Sequence, residues 1–196
     1  MDFIEKVKGF LLEPSKTFDA LKEESLEEAT KYYAVLAAVY SALLALLLTF
    51  AGNLIGPMMG FGNMGMIKGA GAGIGSAIII FVVFMIILIA GAFIGGAITH
   101  IFVYIVGGRR GIAQTIKAGM YGSTPSLLFG WIPVIEFIAM IWSLVAEIIG
   151  IRQLHELTTG KAISVVILMI ITAIILTIVL AAVIAILFFL SPDFRI

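Results

Sequence analysis

The sequence has no cysteine, only two histidines and few charges. Without cysteine there is no disulfide framework, no thiolate-held zinc or iron–sulfur centre and no thiol nucleophile. Charged residues make up 12% of the 196-residue chain, about half the share of an ordinary globular protein. Twelve Lys/Arg balance twelve Asp/Glu, so the net charge is zero. No global field recruits a polyanion, and a nucleic-acid partner is excluded. A basic stretch followed by a short apolar run is missing from the start, so no secretory signal peptide is expected. What is abundant is apolar: 62% of residues, with a mean hydropathy of +1.19. A soluble domain of this size lacks the interior volume to hide so much apolar surface. That excludes a cytosolic enzyme and a disordered chain and leaves an integral membrane protein.

The charges are unevenly spread. Residues 1–31 hold eight acidic and five basic side chains. Residues 32–67, 69–108, 118–135 and 162–192 hold none. A helix crossing a ~30 Å hydrocarbon core needs about 20 apolar residues. Spans are therefore expected near Tyr33–Leu54, Ile74–Val106 and Ile163–Leu190, the last two longer than needed. Pro133 suits the first position of another helix, Pro133–Ile151. Gly111–Gly130 reads as a poorer span. Pro125 removes a hydrogen bond there and clashes with the turn behind it, so this span is either kinked or re-entrant. The fold expected is all-α and membrane-integral: residues 1–31 form an amphipathic, acidic cytoplasmic segment and residues 32–196 a five-span bundle. With five spans, ten Lys/Arg fall on one side and two, Lys68 and Arg195, on the other. The positive-inside rule then puts the N-terminus in the cytoplasm and the C-terminus outside the cell membrane.

Phe3, Ile4, Val7, Phe10 and Leu11 recur at helical spacing and form one apolar face. Pro14 ends that helix and starts a second carrying Phe18 and Leu21. The pair either lies on the membrane surface, packs on the ends of the bundle, or offers its acidic run, Glu23 to Glu28, to a protein partner.

Polar residues inside spans are the candidate site, because ionisable groups at membrane depth are costly. Gln114, Lys117, Tyr121 and Thr124 share one helix face; Glu136, Ser143 and Glu147 share another. About a turn at residues 131–132, the two faces meet, with Lys117 opposite Glu147 and Tyr121 opposite Ser143. This reads as a salt bridge pinning the hairpin or as a polar path for a small solute, ion or lipid headgroup. His100, inside the second span, is a hydrogen-bonding residue or a relay. Gly91-x-x-x-Gly95, Ala92-x-x-x-Gly96 and Gly71-x-x-x-Gly75 are small-residue seams for helix packing, and Gly91/Gly95 suit a homo-oligomer. Residues 52–75 hold nine glycines. Met58, Met59, Met64 and Met66 fall among them, without the Cys or His that would complete a copper site. No HExxH, GxSxG or phosphate loop occurs. No catalytic residue, metal or cofactor is expected.

The order of features resembles a known family. Leu12-Glu-Pro14-Ser-Lys-Thr-Phe18-Asp-Ala-Leu21 is followed by a charged stretch, a first span and a Gly-rich segment leading into a long second span. Then come Gly111-Ile-Ala-Gln-Thr and Tyr121-Gly-Ser-Thr-Pro125. This resembles the Yip domain family, the Ypt/Rab-interacting integral membrane proteins, in its prokaryotic branch. The resemblance implies a five-span bundle with a cytoplasmic N-terminus, a non-enzymatic role in membrane organisation or trafficking, and the lipid bilayer as environment. The Asp-Leu-Tyr-Gly-Pro signature tied to small GTPases is missing here. A small transporter or channel using the polar faces of spans three and four is the alternative.

Overall fold

The computed structural model describes residues 1–55 and 74–190. The Gly/Met-rich segment lies largely outside the described residues, its four methionines and Gly71 included, and so does the C-terminal end. Among the described residues there are eight helices and no strand. They are α1 (Phe3–Leu12), α2 (Pro14–Ala20), α3 (Leu26–Ile55), α4 (Ile74–Ile105), α5 (Ile112–Gly122), α6 (Thr124–Phe129), α7 (Ile135–Leu154) and α8 (Thr159–Leu190). Three of these are long and apolar enough to cross a membrane: α3 over Leu26–Phe50, α4 over Ile74–Ile105 and α8 over Thr159–Ile184.

Local chemistry explains the boundaries. Asp2 and Glu5 close a capping box on α1: the Glu5 N–H donates to Asp2 Oδ1 at 2.7 Å, and the Asp2 N–H to Glu5 Oε2 at 2.9 Å. Pro14 opens α2 at its first turn. Ser25 accepts the Glu28 N–H at 3.1 Å, so α3 starts seven residues before the expected Tyr33 and takes Glu27, Glu28 and Lys31 into its first turns.

The third helical segment is interrupted, with Ser123 between α5 and α6. Pro125 has no N–H to give to the Tyr121 carbonyl four residues back. The Thr124 hydroxyl donates to that carbonyl instead, at 2.7 Å. Pro133 does not start α7. Val134 takes φ 74°, ψ −46°, a γ-turn conformation rare for a β-branched residue, and the helix begins at Ile135. At its other end α7 closes with a Schellman motif: the Leu157 N–H donates to Arg152 O and the Glu156 N–H to Gln153 O, with Glu156 at φ 55°.

The main core lies at one end of the molecule, where α1 and α2 meet α3, α5 and the last turns of α7. It is built on Phe10, Phe18, Tyr32, Met120, Tyr121 and Ile151. A smaller core of Leu44, Ala45, Leu48 and Ile80 joins α3 to α4 at the other end. α8 leaves most of its aliphatic surface exposed.

Candidate functional site

The site is a polar cluster under the N-terminal helices. Phe10 and Phe18 are fully buried. Phe10 stacks on Tyr121, centroids 4.7 Å apart, and meets Phe18 edge-on at 4.9 Å. Phe18 fits because residue 150 is glycine: a Cβ there would stand 2.7 Å from the Phe18 ring. Beside these rings Lys6 Nζ donates to Glu24 Oε1 at 2.5 Å, and the Tyr121 hydroxyl donates to the other oxygen of that carboxylate. Burial pushes the Glu24 carboxyl up, but the bonds from Lys6 and Tyr121 outweigh it and hold it below the ordinary range. Lys117 Nζ donates to the carbonyls of Lys22 at 2.8 Å and Glu24 at 2.6 Å. The Tyr32 hydroxyl reaches Thr124 Oγ1 at 3.0 Å.

Gln114, Lys117, Tyr121 and Thr124 thus share one face, as expected, but that face is turned to residues 22–24 and α3. The expected Lys117–Glu147 and Tyr121–Ser143 pairs do not form. Gly122 abuts Glu147 instead; a Cβ at residue 122 would lie 2.8 Å from Glu147 Cα. Ser143 meets Ser126, whose N–H reaches its Oγ at 2.9 Å and whose Oγ lies at 2.8 Å. The reason is register. The turn runs through Val134, which starts α7 later than assumed, and glycine lets the two backbones touch five residues beyond Lys117. The open carbonyls of the 22–24 turn take the ammonium. The side-chain carboxyls of Glu136 and Glu147 have no hydrogen bond or ion pair among the described residues. Both line cavities between α3, α4, α5, α6 and α7.

His100 is hydrogen-bonded, but not alone. Its Nδ1 lies 2.8 Å from Thr115 Oγ1, and that hydroxyl lies 2.9 Å from His155 Nε2. Burial, with the His100 ring nearby, pushes His155 down to about 4. Its Nδ1 is buried and has no hydrogen-bond partner among the described residues. Next to it Glu156 accepts from both Lys22 and Arg110, which hold its carboxyl down to about 2.

Of the amphipathic face, Phe10 is fully buried and Val7 packs against the core. Phe3 tilts over Tyr32 at 5.3 Å. Leu11 lines an apolar cavity with Pro125, Phe129 and Trp142, and Ile4 is exposed. The residues missed were Lys6, Glu24, Thr115, Ser126 and His155. For the last the sequence did carry a signal: His155 is one of only two histidines and lies next to Glu156 after the fourth expected span.

The Yip1 domain family model matches residues 8–191. The chain belongs to the Yip1 domain family. No curated protein and no solved structure matches it. The match begins at Lys8, so the Yip1 domain takes in most of the N-terminal helix pair. The motifs quoted from the sequence have structural roles in this Yip1 domain. Pro14 and Phe18 start α2 and seat it on Gly150, and Tyr121-Gly-Ser-Thr-Pro125 forms the break between α5 and α6.

Proposed function

We propose that this Yip1-domain protein is a non-enzymatic membrane organiser, crossing the cell membrane five times with its N-terminus in the cytoplasm and its C-terminus outside. Its N-terminal helix pair acts as a fixed platform for a protein partner. The burial of Phe10 and Phe18 against Tyr121 carries this reading. Phe10, Phe18 and Val7 are committed to the bundle and are not free to lie on lipid, whereas Ile4 and Leu12 stay at the surface. Charged side chains are also exposed there: Glu5, Lys8, Glu13 and Lys16 around the helix pair, Glu23 in the turn after it, and Glu27 and Glu28 in the first turn of α3. Reversing the charge of Glu23, Glu27 and Glu28 together should abolish in-cell cross-linking of partners to the platform while leaving thermal stability intact. Unchanged cross-links would refute the platform. Reporter fusions at the two ends test the topology; finding both ends on one side rules out five crossings. The acidic cavities at Glu136 and Glu147 favour a second reading, a small transporter. In that case Glu147→Gln stops transport and the platform changes do nothing.

A further inference from the structure

Two cavities meet inside the bundle. One, of about 610 Å³, runs between α4 and α5 and is lined by Gly91, Gly95, Thr99, Ser123 and Glu147. The other, of about 410 Å³, is lined by Tyr40, Ser126, Glu136 and Phe137. They share Tyr33, Leu88 and Ser123 as wall, so they are contiguous. Among the described residues, neither is lined by Lys, Arg or His. Both contain a carboxyl group that no described residue pairs. Glu147 is half-buried and lines the larger cavity. The nearest candidate cation on α5, Lys117, is held away by two backbone carbonyls. A carboxyl at such a place stays neutral unless a cation accompanies it, so its charged form and a bound cation stabilise one another.

The mouth of the larger cavity says where that cation comes from. A Cβ at Gly91 or Gly95 would meet nothing within 4 Å. Ile87 and Ile98, both more than half exposed, flank this opening on an apolar helix long enough to span a membrane. A ligand entering here arrives from hydrocarbon, not from water. A bare metal ion does not fit. Glu136 and Glu147 stand eleven residues apart on α7, roughly 16 Å, and no group of three metal-ligating side chains exists among the described residues.

We infer that the groove binds a cationic amphiphile, with its ammonium group against Glu147 and its alkyl chain along the Gly91–Gly95 stripe. Tyr33 and Ser123 line the same cavity, and because their protons go to the Leu88 and Met120 carbonyls their oxygens can only accept from the head. The missing cationic lining disfavours an anionic headgroup. The inference shares Glu147 with the transporter reading but requires no transport, and its test reads binding without flux.

The test measures unfolding midpoints of the full chain in dodecyl maltoside with dodecylammonium, dodecanol or dodecanoate added. Dodecylammonium should raise the midpoint saturably by about 5 °C, as a ligand specific to the folded state does. The neutral and anionic analogues should not. Glu147→Gln should weaken the response at least tenfold. Gly95→Leu should do the same by filling the groove while keeping the carboxylate, and open space at residue 95 leaves the fold intact. Nanodiscs with and without phosphatidylethanolamine then identify the source. Competition by that lipid assigns the ammonium to a membrane headgroup; no competition assigns it to a free amine. An equal response from dodecanol, or from the Glu147→Gln protein, overturns the proposal. So does a Gly95→Cys disulfide between copies that dodecylammonium does not prevent, because a second copy then fills the groove.

Discussion

Lys117 is held by two backbone carbonyls, and this sets what its removal costs. Lys117→Ala should destabilise the protein by about 2–3 kcal/mol, because the Lys22 and Glu24 carbonyls are left buried without a donor. Glu147→Gln should change stability by less than about 1 kcal/mol, since no bond is lost. A double-mutant cycle in detergent should find Lys117 and Glu147 additive but Lys117 and Glu24 coupled. Coupling of the first pair would mean the helices are registered as the sequence suggested. His155 adds a pH dependence. Its folded value is about 4, against an unperturbed value near 6.5, so between these limits the unfolded chain binds the extra proton. Stability is fully present above about pH 6.5 and falls as pH drops toward 4, by at most about 3 kcal/mol. His155→Gln should flatten the curve over that window. Glu156, held down to about 2, keeps its ion pairs through that window; its own contribution to stability drains between about 4.5 and 2. The pattern of polar residues on α5 was legible because helical spacing fixes which side chains share a face. Their partners were not. Lys22 and Glu24 contribute backbone carbonyls, which no side-chain pattern reveals, and Glu24 sits in an acidic run that looks solvated.

Among the elements, the long apolar helices were readable to within a few residues at most ends, because a charge-free run has nowhere else to go. The helices between residues 111 and 154 were harder, since glycine decides their register through contacts, not through any periodicity. Three glycines make those contacts. Gly96 lets α4 touch Ile116, Gly122 lets α5 touch Glu147, and Gly150 admits Phe18 and Ala118. At Gly91 and Gly95, the expected oligomer seam, a Cβ would meet no described residue within 4 Å. The difference is measurable. Gly122→Ala would place its methyl 2.8 Å from the Glu147 backbone, which cannot swing aside, and should cost about 2–3 kcal/mol. Gly95→Ala meets open space in a helix interior and should stabilise by up to about 1 kcal/mol through helix propensity. Unfolding of both variants in detergent checks the contrast. If both cost the same, α5 and α7 do not approach at residue 122. The same reasoning explains why Ser123 ends α5 without disorder: Thr124 and Ser143 take up the carbonyl and the N–H that Pro125 leaves open.

At the scale of the whole molecule, the edge between polar and apolar surface is stepped. Lys22, Arg110 and Glu156 pair at one end of the bundle. Tyr121 stands nine residues along α5 from Ile112, about 14 Å from that end. Phe10 stacks there, and Leu12 lines one cavity with Ile138 and Trp142, at a similar distance along α7. α1, with exposed Glu5 and Lys8, therefore sits well down the flank, and exposed Glu27, Glu28 and Lys31 on α3 accompany it. On the α4–α8 flank the same height is bare aliphatic surface. Gly91 and Gly95 share a cavity wall with Gly119 and Ser123, and Ile94 beside them is 61% exposed. Ile98, Ile101 and Ile105 continue that surface to the end of α4. A flat leaflet cannot solvate charges on one flank and cover isoleucines on the other at one depth. Helices of 32 residues, about 48 Å long, against a ~30 Å core add to the mismatch. Thinning or tilting a leaflet costs a fraction of a kcal/mol per Å, which the burial of the α4 and α8 aliphatics offsets. The leaflet should therefore dip beside α1. With no native cysteine, single labels are simple to place. In lipid vesicles, a nitroxide at Lys8→Cys should collide mainly with a water-soluble nickel chelate, and one at Ile94→Cys mainly with dissolved oxygen, although both stand at one height in the fold. If both labels report the same environment, the bilayer meets the bundle on a level plane, and the protein does not reshape the leaflet around it.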